Sequence, residues 1–407
     1  MSKVLKKNKI RRNLILRALL DNGPMSLSEL KEKTGITLPV VSSLVKSIKK
    51  KNLVVDIIPE GNIGVGRPPS LIKLNGKAGY VLGIDLDRIY SKFILLDLEH
   101  NIITDVDKKQ SFLSNDISVL EKLKKEIDYI LSQNKIKWET LLGIGISIPG
   151  FVDTYKGTSK TYLNFNEKPI REILQDYFKK PVHIEHDVKA LALGELWFGS
   201  AKNQKNALCL KVDWGVGLGI IIDGKVYYGN DSFAGEFGHI QVVPKNGALC
   251  YCGKRGCLET VASGRSIIIN TIERLKKGES SLLNDIYKNQ FDSIDARAII
   301  KAAIDGDQFS LEVVEEVAKY LGFASAILVN IFNPSCIILG GNIASTAPPN
   351  FVETIKSNTI KYSHSQLNKN LEFVVSNLGF KAGALGVAML IAKELFEIEH
   401  LNPSAYV

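Results

Sequence analysis

Apolar residues recur at helical spacing three times in the first fifty positions. Ile10, Leu14, Ala18 and Leu19 share one face of a helix over residues 9–22, which Asn22-Gly23-Pro24 stops. Ser26-Leu-Ser-Glu29 is a capping box and opens a short second helix that closes at Thr34-Gly35. A third helix starts at Thr37, takes Pro39 in its first turn without loss, and runs to about Lys51. Val41, Leu44, Val45 and Ile48 form its apolar face; Ser42, Ser43, Lys46, Ser47 and Lys49 form the opposite one. Residues 53–58 and 71–74 then read as strands, joined by a Gly-rich wing over 59–66. Helix, short helix, tight turn, helix and strand–wing–strand predict a winged helix-turn-helix over residues 1–75.

From Gly79 the pattern changes to continuous apolar runs. Residues 80–85, 93–97 and 102–103 predict three neighbouring strands, 118–133 a helix, and 142–148 a further buried strand ended by Pro149-Gly150. Strand–strand–strand–helix–strand is the order of one actin-like, ribonuclease-H-like lobe. A strand over 182–185 and a helix over 188–198 follow. Residues 208–212, 219–222 and 225–228 begin a second lobe of similar order, with Asp223-Gly224 as its hairpin turn. Helices dominate 265–332, a strand ends at Gly340-Gly341, and Gly383-Ala-Leu-Gly386 opens a last helix. The fold class expected is α/β: a DNA-binding head followed by a two-lobed domain over 79–400. One lobe spans about 79–190 plus the helix from about 383, the other about 191–382. A cleft enclosed by such lobes is where a ligand sits.

Charge changes the picture only for the head. Residues 1–80 hold 16 Lys and Arg against 5 Asp and Glu, whereas the rest of the chain holds 36 against 38. The net charge of +9 therefore belongs to the N-terminal fifth, as expected for a polyanion partner. A basic surface without a partner competes with that reading on charge alone. The helix order decides for double-stranded DNA over a protein-binding module, with Thr37, Ser42, Ser43, Lys46 and Lys49 presented to the major groove. Arg67, held extended in Gly66-Arg67-Pro68-Pro69, suits a narrow minor groove, and a stiff spacer is the competing reading. An apolar content of 45% excludes global disorder. No apolar run is long enough to span a bilayer, and the basic start leads into a stretch broken by Arg17 that reads as an amphipathic helix, not a signal peptide. These features point to the cytoplasm and away from any membrane partner.

The densest chemistry lies in Glu236-Phe-Gly-His239 and, ten residues on, Cys250-Tyr-Cys252-Gly-Lys-Arg-Gly-Cys257-Leu-Glu259. His239, Cys250, Cys252 and Cys257 make a Cys3His set, the ligand count of a closed structural zinc site. Gly253 and Gly256 free the backbone to wrap around an ion. A disulfide between Cys250 and Cys252 would be strained. Cys209 and Cys336 sit in apolar runs and read as buried thiols.

The same block resembles the signature of the ROK family, which joins bacterial sugar kinases to sugar-responsive transcriptional repressors. The resemblance covers nearly all of residues 80–395. It implies sugar contacts at Asn164, Asp187, Glu236, His239 and Glu259. A sugar hydroxyl both donates and accepts, and such a mixed set serves it. Taken singly, each has a plainer use: Asn164 caps a turn, Glu259 starts a helix. ROK kinases cradle phosphate with Asp-x-Gly-Gly-Thr and Gly-Thr-Gly; the matching places here read Asp85-Leu86-Asp87-Arg88-Ile89 and Asp213-Trp214-Gly215. A carboxylate a few Å from a phosphate costs on the order of several kcal/mol. Asp187 stands where kinases keep the general base, and Lys189 is close enough in sequence to pair with it and depress its basicity. The expectation is a non-enzymatic regulator, a repressor of carbohydrate-utilisation genes, acting as a homodimer or tetramer on a palindromic operator. An ATP-dependent sugar kinase with a DNA-binding head, and a regulator signalled by a protein partner, are the alternatives.

Overall fold

The computed structural model describes residues 3–58, 70–88, 90–108, 110–165, 168–288 and 290–396. Arg67 and the expected wing at 59–66 lie outside the described residues.

Helix α1 (Lys3–Asn22) begins well before its expected start, and Ile10, Ile15, Leu16, Leu19 and Leu20 are its buried stripe. In α2 (Leu27–Thr34) both halves of the capping box form. The Glu29 N–H donates to Ser26 Oγ at 3.2 Å, the Ser26 N–H donates to Glu29 Oε2 at 2.7 Å, and Gly35 closes the helix at φ 68°. Helix α3 (Leu38–Lys50) buries Val41, Val45 and Ile48. Strands β1 (Val54–Ile57) and β2 (Leu71–Leu74) pair antiparallel, and Met25 adds a bridge to Ile72 that ties the turn before α2 to them.

Next come β3 (Tyr80–Asp85), β4 (Ser91–Asp97), β5 (Ile102–Lys108), α4 (Val119–Gln133), β6 (Leu141–Ile148), α5 (Ile170–Phe178) and β7 (Val182–His186). Their sheet has the order β5-β4-β3-β6-β7; β3, β4 and β5 form an antiparallel meander and β6 joins β3 in parallel. After α6 (Asp187–Phe198), strands β8 (Ala207–Val212), β9 (Val216–Ile222) and β10 (Lys225–Val226) start a second meander. Helices α7 (Gly264–Lys276), α8 (Leu282–Tyr287), α9 (Ala296–Ile304) and α10 (Gln308–Phe332) precede β11 (Cys336–Gly340), α11 (Asn342–Thr346), α12 (Pro349–Tyr362), β12 (Glu372–Val375) and α13 (Ala382–Leu395). The second sheet runs β10-β9-β8-β11-β12. Both sheets therefore repeat one topology, an antiparallel three-strand meander extended by two further strands beside its first.

The chain forms two compact units, residues 1–148, 157–185 and 387–407, and residues 149–156 and 186–386. The boundary falls inside α13, whose close approach to β6 and to α6 depends on glycine. A Cβ on Gly145 would lie 2.1 Å from the Val387 carbonyl oxygen, and one on Gly386 would lie 1.9 Å from that of Ala190. In the first unit the head is fastened by α1: the Arg17 guanidinium donates to the Lys393 carbonyl at 2.9 Å, and Lys393 pairs with Asp21 at 3.0 Å. The second unit has its core between the sheet and α7, α9, α10 and α12, where Leu210, Val313, Leu321, Leu339 and Phe351 meet. Among the described residues no helix is long and apolar enough to cross a membrane.

Candidate functional site

A one-turn segment, Phe237–His239, presents His239, and the loop that follows doubles back on it. Bridges between Gln241 and Cys257 and between Leu249 and Arg255 close the loop into a knuckle. Within it the Cys250 N–H donates to the Lys254 carbonyl at 2.8 Å and the Gly253 N–H to the Cys250 carbonyl at 3.0 Å. Gly256 takes φ 74°, and a Cβ there would stand 1.8 Å from the Val243 oxygen, so only glycine lets the two arms touch.

This geometry brings the four expected donor atoms within 4.8 Å of one another. Cys250 Sγ is 3.6 Å from His239 Nδ1, and Cys252 Sγ is 3.6 Å from Cys257 Sγ. A tetrahedral ion with metal–sulfur bonds of about 2.3 Å places its sulfurs about 3.8 Å apart, so the donors fit a metal ion. All three cysteines are free thiols. Burial pushes the Cys257 thiol up to about 12 and raises that of Cys250. Burial also works against Cys252, but the Lys254 N–H together with the neighbouring Cys250 and Cys257 thiols outweighs it and holds this thiol below its ordinary value. A cation held there would supply the charge that three crowded thiolates require. Cys209 and Cys336, on the neighbouring strands β8 and β11, are buried free thiols instead.

The opposite ring nitrogen of His239 faces polar company: Nε2 lies 3.1 Å from Tyr251 Oη and 3.9 Å from Glu236 Oε2. Glu259 Oε2 accepts the Val216 N–H at 3.3 Å, and burial raises its carboxyl. Gly215 leaves the room this needs, since a Cβ there would lie 2.5 Å from Glu259 Oε2. Asp187 opens α6, where Oδ1 accepts the Val188 N–H at 2.8 Å and Oδ2 accepts from Lys211 Nζ at 2.7 Å. Burial pushes the Asp187 carboxyl up, but Lys211, and His186 3.4 Å away, outweigh it and hold it below the usual carboxylate range. The expected cation, Lys189, is corrected here: Lys189 is buried along α6, and the ammonium on the Asp187 carboxylate comes from β8. Asn164 belongs to the first unit, where its N–H donates to Asn115 Oδ1 at 3.0 Å.

The two turns that the resemblance matches to the phosphate turns of kinases carry carboxylates with partners of their own. Both carboxylate oxygens of Asp213 accept from Asn342 Nδ2, at 2.8 and 2.7 Å, and the carboxylate also accepts the N–H groups of Trp214 and Asn342 at 3.1 and 3.3 Å. Asn342 is the first residue of α11, directly after Gly341 at φ 93°. The Asp213 carboxylate thus takes backbone donors of the kind a phosphate would use. In the other turn the Ser147 hydroxyl donates to Asp85 Oδ1, and Arg88 donates to the Tyr162 hydroxyl at 2.8 Å.

On the head, Thr37 stands exposed at the N-cap of α3, its side chain making no cap hydrogen bond. Ser43 and Lys46 are exposed, Ser42 is half-buried, and Lys49 is exposed but paired with Asp56 on β1. Lys211, Asn342, Ser147 and Tyr251 were not among the expected site residues. Lys211 carried one signal, a charge inside the otherwise apolar run of β8.

A mixed α/β chain with two sheets of ribonuclease-H-like order, a helix-turn-helix head and a Cys3His knuckle beside Glu236 and Glu259 defines a narrow class. The ROK family model matches residues 81–394, and the chain belongs to the ROK family. It is 32% identical to the xylose repressor of Bacillus spizizenii over 392 residues, covering 96% of this chain and 97% of that repressor. It is also 32% identical to a glucokinase of Halalkalibacterium halodurans, over 79% of this chain and 98% of that enzyme. Among solved structures, a ROK family transcriptional regulator described as a homologue of the Escherichia coli MLC protein superposes with a TM-score of 0.79 at 27% identity, covering 96% of this chain and 97% of that one. A ROK glucokinase of Streptomyces griseus in complex with glucose and AMPPNP gives 0.67 at 26% identity, over 77% and 99%.

Proposed function

We propose that this protein is a sugar-responsive DNA-binding transcriptional repressor of carbohydrate-utilisation genes. One observation carries the reading: similarity to a repressor runs through the head, over 96% of the chain, whereas similarity to a glucokinase covers 79%. The sugar is read by Asp187, Glu236, His239 and Glu259, with Asn164 as a further contact. Zinc held by His239, Cys250, Cys252 and Cys257 fixes the loop from which Glu236, His239 and Glu259 project, and so fixes the imidazole's tautomer and aim. Thr37, Ser42, Ser43 and Lys46 meet the major groove, Lys49 does so after exchanging Asp56 for phosphate, and Arg67 enters the minor groove. Sugar releases DNA only by binding the non-DNA form better; a complete switch needs roughly a 10⁴-fold preference.

The protein acts as a homodimer or a tetramer, matching two half-sites of an operator. An apolar row on α10 supports this, with Phe323, Ile327 and Ile331 exposed at four-residue spacing and Tyr362 of α12 packed against Phe323. The carboxylates at the phosphate turns support a regulator without kinase activity. The kept Asp187 favours the second reading, a sugar kinase. Thermal unfolding of the metal-loaded protein separates the two. We expect D-xylose, D-glucose or N-acetyl-D-glucosamine to raise the melting temperature and ATP-Mg to leave it unchanged. A rise with ATP-Mg supports the kinase.

A further inference from the structure

We propose that Tyr251 is a sugar-reading residue that extends the His239 imidazole by one hydrogen bond. The inference rests on the sugar reading of this site, and it routes the His239 contact to the sugar through Tyr251. Tyr251 sits between two of the metal-site cysteines, Cys250 and Cys252, on the knuckle. Its ring stands edge-on to the imidazole, with centroids 5.1 Å apart and planes at 78°. Oη reaches Nε2 at 3.1 Å, while Nδ1 on the far side of the ring faces Cys250 Sγ at 3.6 Å.

That arrangement sets the direction of the hydrogen bond. With a metal held at Nδ1, on the thiol side, the imidazole carries its proton on Nε2. The Nε2–H therefore donates, Oη accepts, and the phenolic hydrogen remains to donate outward. Glu236 Oε2, an acceptor only, lies 3.9 Å from the same nitrogen. A sugar hydroxyl seated beside them accepts from the phenol and donates to the carboxylate, so both of its capacities are used. An ether or an acylated oxygen at that position satisfies only one. Tyr251 is also 61% exposed, a large aromatic turned to solvent in a segment otherwise pinned by its neighbours. A phenol held this way loses little freedom when it binds. The chemical class of ligand is a neutral aldose with a free hydroxyl at the position facing Tyr251.

Isothermal titration of the full-length, metal-loaded protein tests this. D-xylose, D-glucose and N-acetyl-D-glucosamine are titrated first, and then the monodeoxy series of whichever binds, into the wild type and Tyr251→Phe. We expect the variant to keep its metal content and melting temperature and to bind the parent sugar about three- to tenfold more weakly, the effect of one neutral hydrogen bond. One monodeoxy sugar should bind both proteins equally, a pattern that a merely structural role for Tyr251 does not produce. Equal binding of every sugar by both proteins overturns the role of Tyr251 and leaves the sugar site standing. Tighter binding by the variant overturns it too, since the phenol then competes with the sugar. Failure of the wild type to bind any of the three sugars removes the sugar site and this inference together.

Discussion

Lys211 Nζ on β8 stands 2.7 Å from Oδ2 of Asp187, the first residue of α6, and both side chains are nearly buried. Removing one partner of a buried pair leaves an uncompensated charge. We expect Lys211→Met to lower stability by about 2–4 kcal/mol in urea unfolding, and Asp187→Asn in the same background to recover part of that loss. A loss under about 0.5 kcal/mol for the single variant would mean that water, not Lys211, balances Asp187. With carboxylates at Asp85 and Asp213 in the two turns matched to kinase phosphate turns, a coupled ADP assay with sugar and ATP-Mg should give no turnover.

The Cys3His knuckle should contain one zinc per chain by elemental analysis. Chelation should lower the melting temperature and expose three thiols to a thiol reagent, leaving Cys209 and Cys336 protected until the protein unfolds. Cys252→Ser should mimic chelation. A variant that keeps full sugar response would show that the metal does not transmit the signal.

His183 on β7 is buried between Glu394, 2.5 Å from Nδ1, and Glu185, 3.8 Å from Nε2. Burial pushes its pKa down, but the two carboxylates outweigh burial and lift it to about 9. A group raised on folding stabilises fully below its unfolded value near 6.5 and loses that contribution as pH rises through about 9. Stability should therefore fall by on the order of 2 kcal/mol between pH 6.5 and 9.5, and His183→Gln should flatten that slope. An unchanged slope in the variant would place the titration elsewhere.

The apolar row on α10 offers a test of assembly. Ile327→Asp should shift the protein toward monomer in sedimentation velocity without unfolding it, because the side chain is 38% exposed in the single chain. An unchanged sedimentation coefficient would move the interface off α10.

Local chemistry made much of this fold legible. The capping box at Ser26 and Glu29, the stop at Gly35 and the apolar stripe of α3 are each decided within a few residues, and all form as read. The buried strands of both meanders announced themselves as apolar runs. Short or edge elements did not: α5 and the four-residue β12 have too few periods to stand above their loops. α1 extends earlier than its apolar stripe, from Lys3, where the apolar spacing alone set no start. Partnerships between distant residues were illegible for another reason. Lys189 is two residues from Asp187 in sequence, yet Lys211 supplies the charge, because β8 runs beside the start of α6. Asn342 clamps Asp213 across 129 positions. The knuckle was the exception, since all its donors fall within one loop and its glycines mark the bends.

DNA affinity in the presence of the sugar tests the central claim most directly. A duplex is selected by the protein from a random pool, and its binding is followed by fluorescence anisotropy with and without the sugar that raises the melting temperature. The account expects at least a tenfold loss of affinity with sugar and none with ATP-Mg, and a salt slope that shrinks by about one for Lys46→Ala. Undiminished DNA binding at saturating sugar would contradict it.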